Sequence, residues 1–290
     1  MTLYTHQASN IRKTWLLMTI FLVLVIGVGY FLSYYYGSPE ILYIAVAISF
    51  VQVGISYWYS DKIALSASGA KEVSRQEYFD LYTLTENLAI TAGLPMPRVY
   101  VIQDPAPNAF ATGRDAKHSA IAVTTGLLSV LDKNELEGVI AHEMAHIGNR
   151  DILVMTVVVV LVGLLSLISD IFLRSMIFGG GGDRDNKGGN ALMIIGIVLM
   201  VLSPIIGMLI QFAVSRKREY LADATGSLLT RYPEGLASAL EKISRYGGKM
   251  QKANHATAHL FIANPFGKAK EMFSTHPPVQ ERIKRLRNNV

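Results

Sequence analysis

His142-Glu143-Met144-Ala145-His146-Ile147-Gly148-Asn149-Arg150-Asp151 runs directly into the uncharged stretch ILVMTVVVVLVGLLSLIS, residues 152–169. An HExxH segment on a helix puts two imidazoles one turn apart on the same face with a carboxylate beside them. That arrangement holds Zn²⁺ and activates a water. The apolar run that follows is close to the roughly 20 residues that cross the hydrocarbon core of a bilayer as a helix. Metal chemistry and a membrane surface are therefore expected side by side.

Outward from this junction, charge is missing from three more stretches, 14–39, 41–60 and 188–215. The whole chain of 290 residues is 51% hydrophobic and 17% charged, with a mean hydropathy of +0.31, against about 25% charged in an ordinary soluble domain. Membrane spans are expected at 15–36, 40–59, 152–173 and 191–213. Tyr57-Trp58-Tyr59 closes the second run, as aromatics of the headgroup belt do. Gly196, Pro204 and Gly207 in the fourth are tolerated in membrane helices, where neighbours re-satisfy the backbone. The first run is too long for a cleaved signal and a second follows at once, so it is expected to be a retained anchor.

Lysine and arginine are distributed unevenly. Residues 60–151 carry eight and 213–290 carry fourteen, whereas the turn Gly37–Glu40 has none. The positive-inside rule then places both termini and the segment 60–151 in the cytoplasm. The basic tail is expected to face anionic lipid rather than nucleic acid. Cysteine is absent, so metal ligands must be histidines and carboxylates.

Four parts are expected: a transmembrane hairpin over 1–60, a catalytic part over 61–151, a second hairpin with a glycine-rich external loop over 152–213, and a second catalytic part over 214–290. In the first catalytic part, Ser74-Arg75-Gln76-Glu77 has capping-box spacing and Gly93 with Pro95 ends the helix it would open. Arg98–Gln103, Asn108–Thr112 and Ser119–Thr124 predict a sheet of about three strands, with a hairpin turn at Gly113-Arg114-Asp115. A further helix should start at Asp132, with Glu135 three residues on, and carry His142 and His146. Helices are expected from Arg216, from Pro233 to Gly247, and after Pro277-Pro278. The fold class is a mainly α membrane protein, with four transmembrane helices and a cytoplasmic α+β catalytic domain.

A catalytic zinc site takes three protein ligands and leaves a position open. Glu219 is the best third ligand, because two spans separate it from His146 and the two return to the same membrane face. From the residues alone, Glu219 could instead pair with Arg216 or Arg218. Asp223, one turn on, could orient a ligand imidazole. His255 and His259 are also spaced i, i+4, but with no carboxylate between them and no stable helix around them a second metal site is not expected there.

The segments His142–Asp151, Arg218-Glu219-Tyr220-Leu221-Ala222-Asp223 and His276-Pro277-Pro278 resemble the HtpX family of membrane metalloproteases, and more distantly the CAAX prenyl endopeptidases. The resemblance extends to Asn108-Ala109-Phe110-Ala111 and to the four-span layout. It implies a zincin-type, gluzincin-like catalytic domain and one Zn²⁺ per chain on His142, His146 and Glu219. It also implies His276 near the active site, Asn108–Ala111 as an edge strand that binds extended peptide, misfolded or damaged membrane proteins as substrates, and a bacterial plasma membrane as the location. In such a site Glu143 takes the proton of the attacking water and returns it to the leaving amine, while the tetrahedral oxyanion needs a donor, for which His276 is the candidate.

Two other classes fit less well. An intramembrane protease would bury HExxH in lipid, but residues 132–151 carry Asp132, Lys133, Glu135, Glu137, Arg150 and Asp151, too much charge for a span. A scaffold with structural metal would close its site with four protein ligands. Oligomeric state is not readable from the sequence.

Overall fold

Two long apolar helices lead the chain, α1 (Leu3–Tyr36) and α2 (Pro39–Trp58), turning back on each other at Gly37, whose φ of 63° suits a residue without Cβ. The computed structural model describes residues 3–178, 209, 216–254, 256–267 and 277–288. Both helices are long and apolar enough to cross a membrane, over Gln7–Tyr36 and Pro39–Trp58. Trp15 lies beside Tyr57 with ring centroids 5.9 Å apart, and Trp58 and Tyr59 are exposed at the same end. From Trp15 to Tyr36 is about 32 Å at roughly 1.5 Å per residue, the thickness of a hydrocarbon core.

Helix α3 (Ser60–Ala67) leads into the sheet. Among the described residues the sheet has four strands in the order β1-β2-β4-β3: β1 (Ala70–Glu72), β2 (Arg98–Ile102), β3 (Ala109–Gly113) and β4 (Ser119–Thr124). The expectation of about three strands missed β1, whose three residues are too few to show alternation; it pairs antiparallel with β2, Lys71 opposite Val101. β2 and β4 are parallel, and β3 joins β4 antiparallel as the edge. The turn between those two is longer than Gly113–Asp115, because a 3₁₀ turn at Ala116–His118, capped by Asp115, intervenes.

Ser74–Glu77 does not open a helix. Glu77 accepts from the backbone N–H and the hydroxyl of Ser74, closing a turn, and α4 (Phe79–Ala92) starts two residues later. Only the Glu77 half of a capping box forms: the Ser74 hydroxyl donates to Glu77 and does not accept from its N–H, and the carboxylate bond alone is satisfied as well in a turn. Gly93 ends α4 in the left-handed conformation. After α5 (Thr125–Val130), α6 (Lys133–Gly148) begins on a full capping box between Asp132 and Glu135.

The chain then bends by 84° into α7 (Asp151–Phe178). The corner is Arg150, at φ 58°, a conformation costly for a residue with a Cβ. The first three turns of α7 are buried, Val154, Val157, Val158 and Leu161 completely. They pack against α1, α3 and β3. The remaining helices are α8 (Arg216–Thr230), α9 (Pro233–Tyr246), closed by a left-handed Gly247, and α10 (Val279–Asn288). The expected span at 191–213, apart from Leu209, lies outside the described residues, as do residues 179–190 of the glycine-rich loop, His255 and His276.

Strand alternation divides the core in two. Tyr100, Ile102, Phe110, Ala120 and Ala122 face the cluster built on α1 and α7; Val99, Val101, Ala109, Ala111, Ile121 and Val123 face the one built on α4, α6, α9 and α10. The sheet thus stands between the membrane helices and the HExxH helix, with its edge strand against both.

Candidate metal centre

The site is built where α6 and α8 cross. Gly226 lets them meet, since a Cβ there would lie 3.0 Å from the backbone nitrogen of His142. Gly138 does the same for α6 and α9, where a Cβ would come within 2.6 Å of the Leu236 nitrogen. The N-terminus of α6 is anchored by Glu135, which also accepts from Ser238 and Lys242 of α9, each at 2.6 Å.

His142 and His146 project from α6 with their Nε2 atoms 3.2 Å apart. Glu219 of α8 faces both, Oε1 at 3.5 Å from His146 Nε2 and Oε2 at 3.7 Å from His142 Nε2. All three residues are buried, and they form a group of potential metal ligands. Ligands about 2.0–2.1 Å from a tetrahedral zinc ion stand roughly 3.3–3.5 Å from one another; the separations here, 3.2–3.7 Å and measured to two different Glu219 oxygens, are close to that spacing, so the three residues suit zinc with small adjustments.

The electrostatics favour a cation. Burial opposes protonation of His146, yet its hydrogen bond with Asp151 and the charges of Glu219, Asp151 and Glu143 push its pKa up to about 9. Glu143, 2% exposed, lies beside the triad. Burial raises its pKa, against the lowering influence of the two imidazoles and of the Ala111 backbone N–H, which it accepts. A carboxyl tuned upward in this way is suited to taking a proton near neutral pH.

Each histidine has its own carboxylate. Asp223 Oδ1 stands 3.0 Å from His142 Nδ1, and Asp151 Oδ2 stands 3.0 Å from His146 Nδ1. The hydrogen bond with Asp151 favours Nδ1 as the protonated nitrogen of His146 and leaves its Nε2 for a metal, and Asp223 stands in the corresponding place beside His142. Asp223 is held well below the usual carboxylate range: burial works against its charge, but Arg282 and His142 outweigh it. Arg282, fully buried, binds Asp223 at 2.7 and 2.9 Å and comes within 3.4 Å of both Glu219 and His142. In the sequence Asp151 stands out only as the last residue of the quoted HExxH segment and as one of the charges of residues 132–151; its role arises from the bend at Arg150, which turns it back toward His146. Arg282 is in an ion pair with Asp223 that also comes close to the candidate ligands.

β3 is the sheet edge next to Glu143, but its outward groups are engaged. The Ala109 carbonyl accepts from Ile262 N–H at 2.9 Å, and the Asn108 side chain grips both the N–H and the C=O of Ala263. Phe110 points the other way and packs edge-on against Phe261. His259 is buried, with Nε2 2.9 Å from the Met155 carbonyl, a core contact remote in character from metal ligation.

The family model described as Peptidase family M48 matches residues 75–290. A "Protease HtpX homolog" of Caldanaerobacter subterraneus subsp. tengcongensis is 50% identical, over 99% of this chain and 98% of its own length. Homologues of the same description are 46% identical in Tropheryma whipplei (98% of each chain) and 45% identical in Pyrococcus furiosus (95% of this chain and 94% of that one). The crystal structure of S. mikatae Ste24p superposes with a TM-score of 0.51 at 18% identity, covering 98% of this chain and 67% of that one; this likeness concerns the fold.

Proposed function

The chain belongs to peptidase family M48, and we propose that this membrane zinc metallopeptidase is an HtpX-type endopeptidase that clears misfolded or damaged membrane proteins. The observation that carries the reading is the enclosure of Glu143 beside His142, His146 and Glu219, with the edge strand's Ala111 N–H on its carboxylate.

His142, His146 and Glu219 would hold the zinc, whose Lewis acidity makes a bound water acidic enough to attack a peptide carbonyl near neutral pH. Glu143 takes the water's proton and delivers it to the departing amine. Asp223 and Asp151 keep the imidazoles in the ligating tautomer. Asn108–Ala111 bind substrate by strand addition, which is largely indifferent to side chains. A substrate strand would take over the groups now paired with Ile262 and Ala263, so binding exchanges one extended segment for another. His276 supplies the oxyanion donor in this scheme.

Four spans, with the site and both termini in the cytoplasm of a bacterial plasma membrane, complete the proposal, and the parts 1–60, 61–151, 152–213 and 214–290 keep the roles given above. The uneven lysine and arginine content and the polar α6 support it. The test is to purify the full chain in detergent, quantify zinc, and follow cleavage of unfolded casein. Glu143→Gln should retain one zinc per chain and lose turnover. Comparable turnover by Glu143→Gln would remove Glu143 as the base. A cysteine introduced at 137 should react with aqueous reagent from the cytoplasmic side; its protection in native membranes would refute the placement.

A further inference from the structure

The α6–α7 corner leaves polar groups that neither helix satisfies. The last carbonyls of α6 have no following turn to bond, because the chain bends at Arg150, and Asp151 sits on the inside of that bend. The groups that meet them come from the stem of α1, some 140 residues away in sequence. Gln7 Nε2 donates to the Gly148 carbonyl at 2.6 Å. Asn10 Nδ2 donates to the Asn149 carbonyl at 3.0 Å and to Asp151 Oδ1 at 2.7 Å. Asn10 is 4% exposed and Asp151 1%. Thr14, one turn on and also buried, returns its hydroxyl to the Asn10 carbonyl.

A carboxylate that orients an imidazole must itself be held. Asp151 presents Oδ2 to His146 Nδ1 and Oδ1 to Asn10, with Arg218 Nε further off at 3.7 Å. The two oxygens are rigidly linked, so fixing Oδ1 fixes the direction of Oδ2, and with it the ring plane and tautomer of His146. We propose that Asn10, on the N-terminal stem of the first membrane helix, is a positioning residue of the metal centre, acting through Asp151 on His146. The inference rests on the zinc reading of His142, His146 and Glu219. It adds that the N-terminal membrane helix is part of the site's support as well as an anchor: loss or displacement of this stem lowers metal affinity before it touches any ligand.

The experiment uses the full-length protein in detergent in a Glu143→Gln background, to prevent self-cleavage, and measures zinc affinity by chelator competition. Asn10→Asp keeps the side chain's size and replaces the donor with a charge facing Asp151; Asn10→Ala removes it. Both should weaken zinc binding on the order of 10- to 100-fold, the range for residues that orient metal ligands, and both should alter the visible spectrum of the cobalt-substituted protein. Gln7→Ala, which frees a carbonyl but leaves Asp151 held, should lower the melting temperature of the metal-free protein and leave zinc affinity within about twofold. In an Asp151→Ala background, Asn10→Ala should have no further effect on zinc.

Zinc affinity in Asn10→Asp equal to the parent's, or an Asn10→Ala effect that persists in full without Asp151, would overturn the proposal. If an Asn10 variant fails to fold, the Asp151→Ala cycle in the remaining variant decides. A parent chain that binds no zinc at all would sink the zinc reading itself and is thereby distinguished from a failure of the Asn10 step.

Discussion

Replacing Gly226 by alanine adds one methyl group at the crossing of α6 and α8. That methyl would lie 3.0 Å from the His142 nitrogen and 3.1 Å from the Ala141 carbonyl carbon and the His142 Cα. Comfortable contacts between such atoms fall at roughly 3.5–4.0 Å, so the helices must part by about 0.5 Å. α6 is held between the sheet and α9, and the movement therefore falls on α8. Glu219 lies seven residues before Gly226, almost two full turns and so on the same face, and its carboxylate moves away from the histidines with the helix. Zinc sites tolerate departures of about 0.2 Å in ligand distance. Overpacking of this kind costs about 1–3 kcal/mol in stability. Zinc affinity should fall on the order of tenfold or more, about 1.4 kcal/mol for each factor of ten. Chelator competition on the purified Glu143→Gln protein reads this directly. The comparison is Gly148→Ala, whose methyl meets only Leu94 Cδ1 at 3.5 Å and should leave the affinity unchanged. Gly226→Ala binding zinc within twofold of the parent, with only its melting temperature lowered, would refute the view that this close approach sets the ligand geometry.

Other perturbations have equally definite outcomes. Arg282→Ala strands the buried Asp223 carboxylate and should destabilise the fold by about 3–5 kcal/mol, read as a lowered melting temperature in detergent; a shift under 1 °C contradicts the pairing. Glu135→Ala loses the capping bond to the Asp132 backbone together with the contacts to Ser238 and Lys242, and should cost about 2 kcal/mol, whereas Glu135→Gln, which keeps most of those bonds, should cost less than half as much by the same thermal assay. Removing metal with a chelator should lower the melting temperature and added zinc should restore it, by about 4 kcal/mol at a thousandfold excess over Kd; equal melting with and without zinc would mean that the ion binds the folded and unfolded chains alike.

The metal site was largely legible in the sequence. HExxH declares its own geometry once it lies on a helix, and the capping pattern at Asp132 and Glu135 places it on one. Glu219 is harder, since nothing in the residues around it separates a ligand from an ion-pair partner; the expectation of two intervening spans and the resemblance of Arg218–Asp223 to a known motif made it the choice. Ser74–Glu77 misled because the glutamate's bond back to the serine N–H is local and does not require a helix to follow. β1 escaped because three residues carry no period.

Sequence by itself determined the two N-terminal apolar helices, the HExxH helix with its candidate ligands, and the family, because each depends on a local pattern or on residue identity. Tertiary structure decided what surrounds those ligands. The bend at Arg150 turns Asp151 toward His146, the crossing at Gly226 brings Glu219 within reach, and α10 delivers Arg282 to Asp223. The stem of α1 reaches the same place with Asn10. Apart from the bend itself, which joins residues five positions apart, these contacts link residues from about 60 to more than 140 positions apart, where pattern along the chain carries no information. They form because a buried carboxylate or carbonyl must find a donor, and the folded chain brings one there.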